Sequence, residues 1–201
     1  RLAQLTNPIF ASYGPPSINA HGGIAILGGY LDELRTAGGQ DIEINGEDFG
    51  PSDCPKTVLY GHNYEYTGIM LNGTRGGIPY PSQTYLRFRT VPGVGGNLPI
   101  KVVSGLLSSA PAATRVSYGL PKITTVASVD PVSYNTTGLS DRGNQVFKIV
   151  GDNFGPVDAV PAVTYGSTQH VLVNNVSTQV VFSYTPTNCR KPNPSQSHTY
   201  I

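Results

Sequence analysis

The sequence predicts an all-β protein built as two antiparallel β-sandwiches in series, and three observations carry that prediction. Apolar and polar residues alternate in Asp41-Ile42-Glu43-Ile44-Asn45 and in Tyr85-Leu86-Arg87-Phe88-Arg89, the period of strands with one buried face. The chain of 201 residues carries 24 glycines and 17 prolines, and Gly/Pro/Asn/Asp turns cut it into strand-length pieces roughly 8–14 residues apart. Finally, Ile42-Glu43-Ile44-Asn45-Gly46-Glu47-Asp48-Phe49-Gly50-Pro51-Ser52-Asp53 returns 105 residues later as Phe147-Lys148-Ile149-Val150-Gly151-Asp152-Asn153-Phe154-Gly155-Pro156-Val157-Asp158. No stretch holds a helical period beyond two turns.

The same offset of 105 relates Ser12-Tyr13-Gly14-Pro15-Pro16-Ser17-Ile18 to Ser117-Tyr118-Gly119-Leu120-Pro121-Lys122-Ile123, and Val58-Leu59-Tyr60-Gly61 to Val163-Thr164-Tyr165-Gly166. Three segments on one offset indicate an internal duplication. Domain 1 is placed at residues 15–119 and domain 2 at residues 120–201. Residues 1–14 are expected to be a terminal strand that completes a second-type domain of an adjacent unit. That expectation comes from the ends of the chain. His198-Thr199-Tyr200-Ile201 stops inside a strand, and Arg1-Leu2-Ala3 with Phe10-Ala11-Ser12-Tyr13-Gly14 would supply the two strands the second domain lacks. Either a covalent head-to-tail array or donation of a strand between separate chains accounts for it. In both cases Phe10 and Tyr13 pack in a core as Val116 and Tyr118 do.

The remaining elements follow in chain order. Ile24-Ala25-Ile26-Leu27 lies between Gly22-Gly23 and Gly28-Gly29 and reads as a strand, without the Lys-Ser/Thr of a phosphate loop. Residues 30–35 fit one helical turn or a turn-rich loop. Gly46 and Gly151 each follow a strand and are expected to open a tight corner through a positive φ. Phe49 and Phe154 then fold back to plug the sandwich end. Tyr60-Gly61 and Tyr165-Gly166 are expected to end the next strands. In Tyr85–Arg89, Leu86 and Phe88 should point inward and Arg87 and Arg89 outward. Val180-Val181-Phe182-Ser183-Tyr184 is the matching strand of the second domain, with Phe182 aligned to Phe88 at an offset of 94.

Composition narrows the function. Thirteen Lys+Arg against twelve Asp+Glu leave a net charge of +1, with no basic stripe for a phosphate backbone, so nucleic acid is not an expected partner. No apolar run is long enough for a bilayer span. His21, His62, His170 and His198 are scattered and form no metal-ligating pair. Glu47, Asp48, Asp53, Asp152 and Asp158 flank loops where a cation could sit; we read them as turn-capping acids. Gly138-Leu139-Ser140-Asp141-Arg142-Gly143 lacks the spacing of a nucleophile elbow. No catalytic residue, cofactor or metal is expected.

Three sequons, at Asn72, Asn135 and Asn175, are candidate N-glycosylation sites, and Pro194 blocks a fourth at Asn193. All three asparagines should be exposed. Cys54 and Cys189 are the disulfide candidates. They occupy non-equivalent positions in the two domains, so they meet within a unit, meet between units, or remain free thiols.

Pro16-Ser17-Ile18, Gly38-Gly39, Gly46-Glu47-Asp48-Phe49-Gly50 and Val58-Leu59-Tyr60-Gly61 resemble the IPT/TIG family of immunoglobulin-like domains. So do Pro121-Lys122-Ile123, Gly143-Asn144, Gly151-Asp152-Asn153-Phe154-Gly155 and Val163-Thr164-Tyr165-Gly166. Both copies depart from the family by a longer stretch before the Gly pair, and the first by an insertion near residues 73–81. The resemblance implies two tandem immunoglobulin-like sandwiches of the kind found in receptors, adhesins, extracellular arrays, some transcription factors and accessory domains of polysaccharide enzymes. It carries over no catalytic residue. The expected function is a non-enzymatic repeat unit of an extracellular, N-glycosylated array forming a fibril, stalk or adhesin shaft, with adjacent copies as partners. The alternatives are a ligand-binding receptor or adhesin ectodomain, with residues 63–81 as contact loop, and an accessory domain of a secreted polysaccharide enzyme.

Overall fold

The structure is a computed structural model, and it describes residues 13–129, 145–160, 162–173, 176–186 and 189. The chain divides into two compact units. One comprises the chain to Leu34, Gly38–Val91 and Gly95–Ser117; the other comprises Arg35–Ala37, Pro92–Val94 and the chain from Tyr118. Among the described residues every regular element is a strand and every pairing is antiparallel.

The first unit contains β1 (Ser17–Ile18), β2 (Ile24–Ile26), β3 (Asp41–Glu47), β4 (Lys56–Tyr60), β5 (Tyr66–Thr67), β6 (Ile69–Met70), β7 (Gly73–Arg75), β8 (Ile78–Tyr80), β9 (Tyr85–Arg89), β10 (Ile100–Ser104) and β11 (Leu107–Ser108). One sheet runs β1-β3-β9-β6, with β2 also on β3; a second runs β11-β10-β4-β5; β7 and β8 form a separate hairpin. Ile42, Ile44, Leu86 and Phe88 from the first sheet and Val58, Tyr60, Ile100 and Val102 from the second are fully buried. The Tyr60 and Phe88 rings meet between the sheets at 5.9 Å, so both inner faces share one core, an arrangement consistent with a β-sandwich. Burial alternates strictly along β4 and β10, the pattern of half-buried strands; along β3 and β9, where the sequence predicted it, the inward residues are buried but Glu43 and Tyr85 on the outer face are buried as well. Residues 30–35 form a turn-rich loop rather than a helical turn, pinned by the buried Leu34.

The second unit contains β12 (Lys122–Ser128), β13 (Phe147–Asp152), β14 (Tyr165–Val173) and β15 (Val176–Tyr184). Among the described residues β12 pairs with β13 and β14 with β15. The duplication survives in the register. Ser17 faces Glu47 and Ile18 faces Gly46; Lys122 faces Asp152 and Ile123 faces Gly151. Each of those four positions has moved by 105. The loop of residues 19–23 that separates β1 from β2 has shrunk in β12 to an irregularity between Ile123 and Thr125, a bulge that keeps one continuous strand.

The corner after β3 and β13 is the same structure twice, and it corrects the reading of its first glycine. Gly46 and Gly151 lie inside their strands, and neither has a positive φ. A Cβ on Gly46 would meet the Ser17 carbonyl oxygen at 2.0 Å and the Phe49 ring at 2.5 Å; one on Gly151 would meet the Lys122 oxygen at 1.9 Å and the Phe154 ring at 2.7 Å. Glycine is required by close approach of the neighbouring strand and of the ring folded back from three residues on. The left-handed backbone sits later, at Asp48 (φ 59°) with Gly50 (76°) and at Asn153 (59°) with Gly155 (84°). Asp and Asn tolerate that region better than other side chains. Phe49 and Phe154 are both buried, as expected. The following turn repeats too: Cys54 N donates to Pro51 O at 3.0 Å, and Ala159 N to Pro156 O at 3.0 Å.

Beyond the corner the units diverge. Gly61 leaves β4 with a φ of 112°, as expected of a strand end. Tyr165-Gly166 instead opens β14, and Tyr165 is exposed where Tyr60 is fully buried. The strand matching β9 also has a different neighbour: Phe88 sits opposite Ile42, whereas Phe182 sits opposite Ser167 in the β14–β15 hairpin. The ten or so residues lost between the corner and Phe182 remove the insertion that separates these strands in the first unit, leaving a short connection that favours a hairpin between neighbours. The side chain of Phe182 lies outside the described residues. Tyr13, expected in a core, is 93% exposed in the single chain, while Val116 and Tyr118 are buried; Phe10 lies outside the described residues.

Gly46→Ala and Gly151→Ala should each destabilise the chain by about 1–3 kcal/mol or more, the range for forcing a methyl group into a filled space. Urea unfolding measures it. A loss below about 0.5 kcal/mol at either site would mean that the strand approach is looser than described.

Candidate functional site

The most organised polar surface in the described residues is the outer face of β3 and β9. Antiparallel pairing sets Asp41 opposite Arg89, Glu43 opposite Arg87 and Asn45 opposite Tyr85. Asp41 is saturated: Arg89 Nε donates to Oδ1 at 2.7 Å, and Arg87 Nη2 donates to Oδ2 at 2.8 Å. The Arg89 guanidinium, then that of Arg87, hold the Asp41 carboxyl below its ordinary range against the opposing effect of burial. Glu43 is nearly buried, and both its oxygens are taken, one by the Tyr85 hydroxyl and one by Arg75 Nη1 at 2.8 Å. Burial first, then the Glu43 carboxylate, push the Tyr85 phenol up to about 12.

Arg75 and Tyr80 come from the β7–β8 hairpin, the insertion the sequence placed near residues 73–81. Arg75 lies over the Tyr85 ring at 5.2 Å, Tyr80 meets Tyr85 edge-on at 5.6 Å, and Arg87 lies over Tyr80 at 5.9 Å. Each is a favourable cation–π or edge-to-face geometry. Arg87 is therefore half-buried, not exposed as the alternation suggested, because the hairpin covers it; Arg89, beyond the hairpin, is exposed. The Arg75–Glu43 ion pair, with Tyr80 packed against Tyr85 and Arg87, holds the hairpin down on the sheet, while the two Asp41 pairs tie β3 to β9. Both carboxylates are thus engaged by hydrogen-bond donors, and Tyr85 holds its proton. Beside it, Asn19, Asn45, Gly46, Arg75, Ile78, Thr84 and Tyr85 line an open cleft of about 340 Å³.

Asn72 is exposed and immediately precedes β7. Asn135 and Asn175 lie outside the described residues. Cys54 and Cys189 are both half-buried free thiols. Cys54 Sγ lies 3.6 Å from Ser104 Oγ, and Ser104 Oγ donates to the Phe49 carbonyl at 2.9 Å. The second unit has Ala159 at the place of Cys54 in the repeated turn, so the corner does not need the thiol. Nearby, Lys56 Nζ donates to the carbonyls of Pro51 and Cys54, and burial lowers its pKa. His21 and His62 are exposed; the side chains of His170 and His198 lie outside the described residues. Asp48 forms part of the left-handed corner, and no group of three His, Cys, Asp or Glu side chains converges among the described residues. No described helix is long and apolar enough to cross a membrane.

The sequence reading missed the Asp41–Arg89 and Glu43–Tyr85–Arg75 clusters. Their signal was present: acids on the outward positions of one alternating strand and bases on those of another are a cross-strand pairing waiting for a register. The hairpin contribution carried no comparable signal.

No protein family, curated protein or solved structure matches the chain.

Two pH effects follow. Asp41 titrates below the unfolded carboxylate value of about 3.9, so its contribution is present above that value and disappears as pH falls through the folded pKa. With Arg89 exposed and its charge screened by solvent, the effect is about 1 kcal/mol or less, and Asp41→Asn should flatten the acid side of the stability curve by that amount. For Tyr85 the folded pKa of about 12 lies above the unfolded value near 10, so the stabilisation holds below about pH 10 and is lost as pH rises through 12. Phenolate absorbance should show a late tyrosine that disappears in Tyr85→Phe and moves down in Glu43→Gln. A titration unchanged by both variants would contradict the Glu43–Tyr85 contact.

Proposed function

We propose that this chain is a non-enzymatic structural repeat unit of an extracellular, N-glycosylated array of IPT/TIG-like sandwiches, a fibril, stalk or adhesin shaft whose partners are adjacent copies of itself. The observation that carries this reading is the duplicated corner. Two units in series share register, ring burial, left-handed positions and the following turn at a constant offset of 105, and serial repetition of one module is how extended arrays are built. Exposure of Asn72 on an ordered hairpin supports glycan addition there. The polar cluster supports the same reading, since both its carboxylates are taken up by arginines and Arg75 fixes a surface insertion. A ligand-binding ectodomain is the second reading, favoured by the cleft lined with Asn19, Asn45, Thr84 and Tyr85.

Denaturing electrophoresis of native material, after reduction and deglycosylation, tests the array. A covalent array runs at many times 21.3 kDa; a non-covalent assembly of donated strands runs as a band near that mass; a monodisperse monomer without denaturant favours the ectodomain. Glycopeptide mapping should find sugar on Asn72. An unmodified Asn72, Asn135 and Asn175 in native material would overturn the extracellular assignment.

A further inference from the structure

The chain contains two Asn-Gly pairs, Asn45-Gly46 and Asn72-Gly73, in opposite surroundings. We infer that Asn72-Gly73 is a built-in ageing site, where an unglycosylated Asn72 converts spontaneously to aspartate and isoaspartate while Asn45 does not. The glycan proposed at Asn72 would protect the same amide.

The chemistry needs no partner but water. The backbone nitrogen of Gly73 attacks Cγ of Asn72. A new N–Cγ bond forms and the Cγ–Nδ2 bond breaks. Nδ2 leaves as ammonia with the proton lost from the Gly73 nitrogen, and water then opens the cyclic imide at either carbonyl. Glycine on the C-terminal side allows this because no Cβ obstructs the attack and the backbone reaches the needed conformation freely.

Two observations separate the sites. Asn45 and Gly46 sit inside β3, with β1 opposite Gly46 and β9 opposite Asn45, and Gly46 N donates to Thr84 O at 3.0 Å. Cyclisation there requires opening the core of the sheet. Asn72 is exposed, and Gly73 is the first rung of a hairpin of three pairs whose β7 residues are all exposed. Two-stranded hairpins are marginal on their own, and terminal rungs open at little cost. What limits opening is the anchoring of the hairpin, by the Arg75–Glu43 ion pair, by Tyr80 against Tyr85 and Arg87, and by the bond from Leu71 N to Arg87 O at 2.9 Å beside Asn72.

Nor can the labile glycine be replaced freely. A Cβ on Gly73 would meet Tyr80 Oη at 2.5 Å and Cζ at 2.7 Å, and Tyr80 packs against Tyr85 and Arg87. Covering the sheet with Tyr80 fixes glycine at 73, and glycine at 73 makes Asn72 reactive. The sequon supplies the remedy, because a glycan on Nδ2 places a bulky sugar on the leaving nitrogen. That protective arm rests on the extracellular reading; the reactivity arm does not.

The test uses the full chain produced without N-glycosylation, incubated in neutral buffer and followed by peptide mapping, which separates aspartate and isoaspartate products from asparagine. Asn72 should convert at least about tenfold faster than Asn45, the ratio that a difference of about 1.4 kcal/mol in opening free energy gives. Arg75→Ala should accelerate conversion at Asn72 and leave Asn45 unchanged. Equal rates at the two sites, or an Asn72 rate indifferent to Arg75→Ala, would overturn the inference. In glycosylated material, chains carrying sugar on Asn72 should stay intact; conversion of sugar-bearing chains at the unglycosylated rate would overturn the protective arm. Finding no sugar on Asn72 would count against the extracellular reading, while the ratio of the two conversion rates still decides whether Asn72 is the reactive site.

Discussion

A phenylalanine ring folded onto a glycine three residues behind it is the contact around which each unit is organised. The glycine has no side chain, so a neighbouring strand comes close on one side and the ring on another. To bring the ring there the backbone must reverse within two residues, which places Asp48 or Asn153 in the left-handed region and a second glycine just after the phenylalanine. In the first unit the Phe49 carbonyl then accepts from Ser104 on the second sheet, so the corner ties both sheets together. Four residues thus depend on one another, and a change at any of them removes the reason for the rest.

The outer face of the first unit follows a different logic. Its strands are polar there because water or another layer must cover them, and here the layer is the β7–β8 hairpin. Asp41 and Glu43 each use both oxygens, and three arginines and a tyrosine are consumed in satisfying them. Among the described residues Arg87 Nε is the only buried side-chain nitrogen or oxygen atom left without a partner. Such pairing gives little net stability, but its Arg75–Glu43 part holds in place the hairpin that follows the exposed Asn72.

How much of this was legible in the sequence differs from residue to residue. The inward positions Ile42, Ile44, Leu86 and Phe88 follow from alternation alone, because the strand period admits one buried face. The repeat of the corner follows from matching residues at one offset. The reason for its first glycine did not: close approach and positive φ both demand glycine, and only the partner strand distinguishes them. The half-burial of Arg87 depends on an insertion whose docking no local pattern encodes. The pairing of β15 with β14 rather than in the manner of β9 reflects a deletion between the corner and Phe182, where a shorter connection changes which strand is nearest. Asn72 was legible as a sequon, but its contrast with Asn45 needed the register of β3.

One corner is built twice in this chain, and ring-current shifts test that directly. In a proton NMR spectrum of the intact chain, an α-proton of Gly46 and one of Gly151 should both move upfield, each showing Overhauser contacts to the ring of Phe49 or Phe154, respectively. The Phe→Leu variant at either ring should restore the ordinary shift of its own glycine and leave the other in place. A shifted α-proton at Gly46 with an ordinary one at Gly151 would mean that the second unit does not build the corner, and the chain would not be a duplicated module.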